Sequence, residues 1–236
     1  MGRKTFNFRA VFRLTGFLLM LESLALAIAG CVALYYKDGD FRWIALSTGL
    51  TLAFGAFFFL LGRNAGKKVG KKEGLVFVTS SWILFSVFGM LPFLLGGYIG
   101  TVSQAFFETM SGLTTTGSTV MPSIESMPHG ILFWRAFTQW LGGMGIILLT
   151  LAIMPILNMG NLHLFTAEVP GPTVDKLHPR ISSTARILWT LYLCLTLLQI
   201  LLLDLAGMSL FDSVCHSFTT MATGGFSTKD SSIAFW

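Results

Sequence analysis

Read from its N-terminus, the chain alternates long apolar runs with short polar gaps. Five stretches, roughly 11–36, 41–62, 75–98, 130–157 and 186–207, stay apolar for about the 20 residues a helix needs to cross a hydrocarbon core. They are too continuously apolar to be one-faced amphipathic helices of a soluble bundle. The pattern therefore predicts an all-α integral membrane fold, because a helix satisfies its own backbone where no water is available.

Two segments depart from that pattern. Between the third and fourth stretches, Gln104–Met110 is apolar on most sides but too short to cross, and it runs straight into Ser111-Gly112-Leu113-Thr114-Thr115-Thr116-Gly117-Ser118-Thr119-Val120. After the fifth stretch, Phe211–Thr220 leads likewise into Met221-Ala222-Thr223-Gly224-Gly225-Phe226-Ser227-Thr228. A short apolar helix ending in a Thr/Gly strand predicts a re-entrant hairpin, and such backbone persists at membrane depth only where protein surrounds it or it lines water. The expected architecture is thus five transmembrane helices plus two re-entrant pore helices with extended filter segments. The order of elements recurs once, which points to a pseudo-symmetric assembly around a shared site. The spacing from acid to glycine is three residues longer in the second copy, Asp212 to Gly224 against Glu108 to Gly117.

The composition of the hairpins suggests their chemistry. K⁺ sheds its hydration shell where carbonyl oxygens replace it at similar distance and field strength. Glycine adopts the dihedrals that aim carbonyls one way, threonine adds a hydroxyl, and the preceding helix points its negative end at the site. The candidate ion-binding residues are Thr114, Thr115, Thr116, Gly117 and Ser118 with Ala222, Thr223, Gly224 and Gly225, and K⁺ is expected at Thr115, Thr116, Thr223 and Gly224. The plainer reading is that Thr/Gly clusters between spans are turns; recurrence in matching positions favours the filter.

Composition narrows the field further. Of 236 residues, 53% are hydrophobic and 11% charged, against about 25% charged in soluble domains. The net charge of +5 is dispersed in gaps between apolar runs, so no nucleic-acid-binding face is expected. Cys31, Cys194 and Cys215 are isolated, the four histidines lack ligand spacing, and neither HExxH nor GxSxG occurs. An enzyme would need an intramembrane nucleophile–base pair or a metal cluster; the sequence offers neither, and no organic cofactor is expected. Ile28-Ala29-Gly30-Cys31 loosely resembles a lipoprotein cleavage box, but the apolar run continues past Cys31 and a further span follows.

Basic residues set the expected orientation. Twelve Lys and Arg fall at the N-terminus, in 63–72 and in 176–186, against four (Lys37, Arg42, Arg135, Lys229) on the other side. The N-terminus is then cytoplasmic, and the cluster at 63–72 either binds anionic lipid or serves simply as a topology determinant. No Lys or Arg lies between Glu73 and Trp134, so a cation approaching from outside meets little repulsion. Glu108 and Asp212 attract cations at a pore mouth or cap the short helices. Arg135, four residues from Gln139 on one helix face, braces the filter or snorkels to the interface. Glu22, deep in the first span, is either functional or a buried structural acid, the latter preferred. Asp204, near the outer end of its span, reads as structural, and Gly142, Gly143 and Gly145 as close helix packing.

Phe106-Phe107-Glu108, Ser111-Gly112-Leu113-Thr114-Thr115-Thr116-Gly117, Phe133-Trp134-Arg135, Gln139-Trp140-Leu141-Gly142-Gly143, Pro170-Gly171-Pro172 and Ala222-Thr223-Gly224-Gly225-Phe226-Ser227 together resemble the Trk/Ktr/HKT superfamily of K⁺ transporters, in its TrkH/TrkG branch. The resemblance covers the chain from about 75 onward, and the first two spans resemble that branch's extra helix pair. It implies four helix–pore loop–helix repeats around one pore in a bacterial inner membrane, with K⁺ as the transported ion. It also implies a homodimer and a cytoplasmic nucleotide-binding, TrkA-like regulatory subunit docking on the loops at 63–74 and 158–185. The chain then divides into a helix pair (1–74), a first repeat (75–157), a cytoplasmic loop (158–185) and a second repeat (186–236) that stops at Trp236 after its pore loop. On this pattern the closing helix and two later repeats are missing, and a closed four-part filter is not built from this chain alone. In the family a filter glycine accompanies K⁺ preference and serine in the first repeat accompanies Na⁺ permeation; Gly117 and Gly224 are taken as those positions. Na⁺ or mixed passage, and a non-conducting assembly subunit, are the alternatives.

Overall fold

The computed structural model describes residues 6–63, 70–156 and 177–236. Pro170-Gly171-Pro172 and most of the loops expected to meet a regulator lie outside them. The described residues form α1 (Phe8–Tyr36), α2 (Phe41–Leu61), α3 (Lys71–Gly89), α4 (Leu91–Leu95), α5 (Val102–Leu113), α6 (His129–Ile156), α7 (Leu177–Leu205), α8 (Leu210–Met221) and a terminal 3₁₀ turn, Ser232–Phe235. Among the described residues four segments, Phe8–Tyr36, Phe41–Leu61, Lys72–Leu95 and Ala185–Leu205, are long and apolar enough to cross a membrane. The fourth apolar stretch of the sequence forms α6, a helix of 28 residues.

Two boundaries differ from those the sequence suggests. The third apolar stretch is one span but two helices, because Pro92 has no N–H to continue the ladder and the chain turns at Met90 between α3 and α4. Helix α7 starts at Leu177, inside the segment expected to be loop up to 185. An apolar run marks the membrane-crossing part of a helix, and the polar turns Ser182-Ser183-Thr184 carry the helix beyond it.

Helices α1 and α2 approach closely through small residues, as membrane helices do when lipid offers no competing hydrophobic drive. Gly55 lies against Met20 and the Gly16 carbonyl, and a side chain at Gly62 would overlap Arg13. This pair is fastened to the rest by its connecting turn. Asp38 accepts the His129 backbone N–H at 3.0 Å and contacts its Nδ1 at 2.6 Å, so it caps the N-terminus of α6, where a carboxylate is electrostatically favoured. Tyr36 stacks on the same imidazole at 4.0 Å between ring centroids.

The core lies where α6 meets α5 and α8. Phe93, Ala105, Ile131, Trp134 and Cys215 are buried there, and Phe133, Phe137 and Trp140 all face Phe218 of α8 at 5.3–5.8 Å. The indole N–H of Trp134 donates to the Gly89 carbonyl at 2.8 Å, one of the acceptors freed at the end of α3. Glu22 is 1% exposed and sits beside Gly89, 3.1 Å from where a β-carbon on that residue would stand. It thus faces the junction of α1, α3 and α5.

Candidate functional site

The two short helices are copies. Helix α5 is capped by Thr101 and α8 by Ser209, each hydroxyl accepting the N–H three residues on. Both helices have 12 residues, and the equivalence Thr101 to Ser209 sets a spacing of 108 that the hairpins keep throughout. Thr115 N–H donates to Gly112 O and Thr223 N–H to Thr220 O; Thr116 N–H donates to Ser111 O and Gly224 N–H to Thr219 O. The backbone is left-handed at Thr115 (φ 57°) and Gly117 (φ 78°), and again at Thr223 (φ 57°) and Gly225 (φ 85°).

This register corrects the pairing of Gly117 with Gly224: the partner of Gly117 is Gly225, and Gly224 corresponds to Thr116. It also explains the unequal acid spacing. The position matching Glu108 is His216, and the second acid, Asp212, stands one helical turn earlier. Threonine is β-branched, so two threonines with positive φ are true backbone outliers. Each costs about 1–3 kcal/mol, and such strain gathers at functional sites.

The acids do more than the sequence suggests. Glu108 is 1% exposed in the middle of α5, so it neither caps that helix nor faces a mouth. It accepts the Thr119 hydroxyl at 2.9 Å, the Val120 N–H at 2.9 Å and Arg135 Nε at 2.6 Å. Asp212 lies in the first turn of α8, where it accepts the Ser209 hydroxyl at 2.7 Å and also the Thr228 hydroxyl. Residues 120 and 228 are equivalent, so in both copies a carboxylate on the short helix ties down the returning strand. His216 takes part as well, with Nε2 3.4 Å from the hydroxyls of Ser227 and Thr228.

Arg135 joins the copies. It is 2% exposed, which rules out snorkelling. Besides Glu108 in the first hairpin, it donates to the Ser227 carbonyl at 2.9 Å and lies over the Phe226 ring at 3.7 Å, both in the second. A second cross-link lies farther along the returning strands: Asp230 accepts the Ile124 N–H at 2.6 Å, and the Asp230 N–H donates to Glu125 at 3.2 Å. These partners are over a hundred residues apart, and no spacing in the sequence announces them.

Arg135 heads a stripe on α6, continued by Thr138, Gln139, Gly142 and Gly143, whose i, i+3, i+4, i+7, i+8 spacing forms one helix face. Gly112 of α5 rests on Thr138, a side chain on Gly142 would overlap the Leu113 carbonyl, and Gly143 faces Ala222. The interruption of an apolar helix by this polar and small-residue face was the available signal for its supporting role.

The candidate residues are brought together unequally. Gly117 lies against the Gly224 carbonyl. Thr114 and Thr116 place their hydroxyls 2.8 Å apart, with Thr114 donating to the Met110 carbonyl. The Ser118 carbonyl accepts the Ser111 hydroxyl at 2.6 Å. Ala222 is buried against α6, whereas Thr223 and Gly225 are exposed. Among the described residues no cluster of His, Cys, Asp and Glu is placed to hold a metal ion.

Long apolar helices packed with two strained hairpins in common register define an all-α, multi-spanning membrane protein in which a short-helix–hairpin motif occurs twice. The family model for TrkH, a cation transport protein, matches residues 44–236, and the chain belongs to that family. It is 44% identical over 232 residues to the Trk system potassium uptake protein TrkH of Escherichia coli K12, covering 98% of this chain and 48% of that protein. To the Trk system potassium uptake protein TrkG of the same organism it is 36% identical over 234 residues, again covering 98% of this chain and 48% of the relative. The crystal structure of the potassium transporter TrkH from Vibrio parahaemolyticus superposes with a TM-score of 0.84 at 39% identity, covering 97% of this chain and 46% of that one. The chain therefore spans about half the length of the relatives it matches.

Proposed function

We propose that this chain belongs to the pore-forming membrane subunit of a Trk-type K⁺ uptake system, with the two hairpins lining the ion path. The observation that carries this reading is the shared backbone geometry of 115–117 and 223–225, with positive φ at the first and third residue of each triplet. Alternation in the sign of φ turns successive carbonyls toward a common side, which is the requirement for replacing a hydration shell. Thr114–Ser118 and Ala222–Gly225 are the ligand-bearing segments. Glu108, Asp212 and Arg135 hold their returning strands rather than contact the ion. Relatives named as potassium uptake proteins support K⁺ as the cargo.

In this reading α6 is the fifth crossing, α5 and α8 are re-entrant, and residues 1–74, 75–157 and 186–236 are the helix pair and two repeats. The excess of Lys and Arg at the N-terminus and in 63–72 supports a cytoplasmic N-terminus in a bacterial inner membrane. The family likeness supports a cytoplasmic nucleotide-binding regulatory subunit and a homodimeric full-length protein. The test is K⁺-limited growth of an uptake-deficient bacterium expressing the full gene, with native residues or with Gly117→Ser and Gly225→Ser. Growth with the native gene and its loss or Na⁺ sensitivity in the variants is expected. Native-like growth and ion flux in both variants would mean the hairpins are structural.

A further inference from the structure

Gln139 stands between the two hairpins in a way that neither the family likeness nor the pore-loop reading assigns. Its side chain is 0% exposed. The Phe226 N–H, one residue past Gly225, donates to Oε1 at 3.2 Å, and this bond fixes which end of the amide is oxygen. The other end, Nε2, has no hydrogen-bond partner. A buried donor left unmade is costly and calls for a reason. The location supplies one. A methyl group on Gly224 would overlap the Gln139 amide, and one on Gly117 would stand 3.6 Å from Nε2 while overlapping the Gly224 carbonyl. The amide is thus wedged where the first and second ion-path segments meet, carried by α6, which is tied to α7 by the Trp140–Thr196 and Tyr192–Trp140 hydrogen bonds.

We propose that Gln139 is a positioning residue for cation selectivity: its amide anchors the second hairpin at Phe226 and spaces the Gly224 backbone from α6, thereby setting how closely the Gly117 and Gly224 segments approach. This inference rests on the hairpins lining the ion path. If they do, the separation of their carbonyls determines whether a larger K⁺ or a smaller Na⁺ is the better fit, through cavity size and carbonyl field strength. Removing the spacer lets the second segment settle toward α6 and distorts that geometry. The single residue serves both hairpins, so its effect falls on discrimination between ions and not only on total flux.

The geometry specifies its own rescue. The methyl group that Gly224→Ala adds occupies the volume that Gln139→Ala vacates. In uptake-deficient cells expressing the full gene, K⁺ uptake and its competition by Na⁺ are measured for the native protein, Gln139→Ala, Gly224→Ala and the double variant, with membrane abundance measured alongside. We expect Gln139→Ala to lower the K⁺-over-Na⁺ preference by about tenfold, the scale of coupling between residues in contact. Gly224→Ala alone loses uptake, and the double variant recovers K⁺ preference relative to Gln139→Ala. Native preference in Gln139→Ala overturns the proposal, as does a double variant no more selective than Gln139→Ala. Should Gln139→Ala fail to reach the membrane, Gln139→Asn, which withdraws the amide by one methylene, is read by the same ratio; unchanged preference again overturns it. A native protein that takes up no K⁺ overturns the transport reading itself, which the native arm detects independently.

Discussion

Gly117 packs directly against the carbonyl oxygen of Gly224, so closely that a methyl group on Gly117 would overlap that oxygen. The contact joins the two hairpins, and it leaves no room for a side chain on the first. Gly117 also has φ 78°, where an L-residue pays about 1–2 kcal/mol. Gly117→Ala is therefore expected to disturb both hairpins at once, through backbone strain and through displacement of the Gly224 carbonyl. K⁺ uptake by cells expressing the variant should fall by about tenfold or more, as a penalty of that size implies, while membrane abundance stays within twofold or so of native. Radiotracer Rb⁺ or K⁺ uptake normalised to abundance is the measurement, and native uptake would contradict the contact.

The corrected register separates Gly225 from Gly224. A side chain on Gly225 meets nothing within 4 Å, so its sole constraint is φ 85°. Asparagine tolerates left-handed backbone better than a β-branched residue does. Gly225→Asn is expected to keep a substantial part of native uptake and Gly225→Val to lose it. If the two variants behave alike, the conformation at Gly225 is not what restricts the position.

The turn that fastens the first helix pair to α6 yields a pH dependence. The His129 backbone N–H, and after it the imidazole, hold the Asp38 carboxyl below the usual carboxylate range. A carboxyl lowered on folding contributes stability that is complete above its unfolded value of about 3.9 and is lost as pH falls through the folded value. Asp38→Asn removes this contribution. The thermal midpoint of detergent-solubilised native protein should exceed that of Asp38→Asn at neutral pH, with the gap closing below about pH 4. The site is partly exposed, so the gap corresponds to no more than about 1 kcal/mol. A gap that persists unchanged at pH 3 would assign the loss to packing on Tyr36.

Much of this architecture is readable from the chain because water exclusion leaves few choices. A backbone in lipid must satisfy its own hydrogen bonds, as a helix does, so the apolar runs mark the long helices, and apolar segments too short to cross that run into Thr/Gly mark the hairpins. What the chain conceals is register and long-range pairing. The second acid stands a turn earlier than the first, at Asp212, with His216 in the place of Glu108, and this hides the 108-residue repeat from a comparison of acid spacing. Gln139 reads only as a neighbour of Arg135 on one helix face until the fold brings Gly117 and Gly224 to it. Asp230 and Ile124 meet only because the returning strands do. Arg135 leaves two readings open in sequence, and its burial decides between them.

The Arg135–Glu108 pair is the most consequential of these long-range contacts for stability. Both side chains are almost wholly buried, at 2% and 0% exposure, and each has further partners: Ser227 O and the Phe226 ring for Arg135, Thr119 and Val120 for Glu108. Removing one member strands the other's charge in a low-dielectric interior, which costs about 3–5 kcal/mol. Arg135→Met and Glu108→Met should each lower the thermal midpoint of the purified protein sharply. The double variant should fall well short of their combined loss, because no orphaned charge remains; residues in such contact couple by about 0.5–3 kcal/mol. Transport should not recover with stability, since the double variant still lacks the donor to the Ser227 carbonyl and the acceptor for the Val120 N–H. Additive losses in the double-mutant cycle would mean that Arg135 and Glu108 act on their hairpins separately, and that the guanidinium does not hold the two copies together.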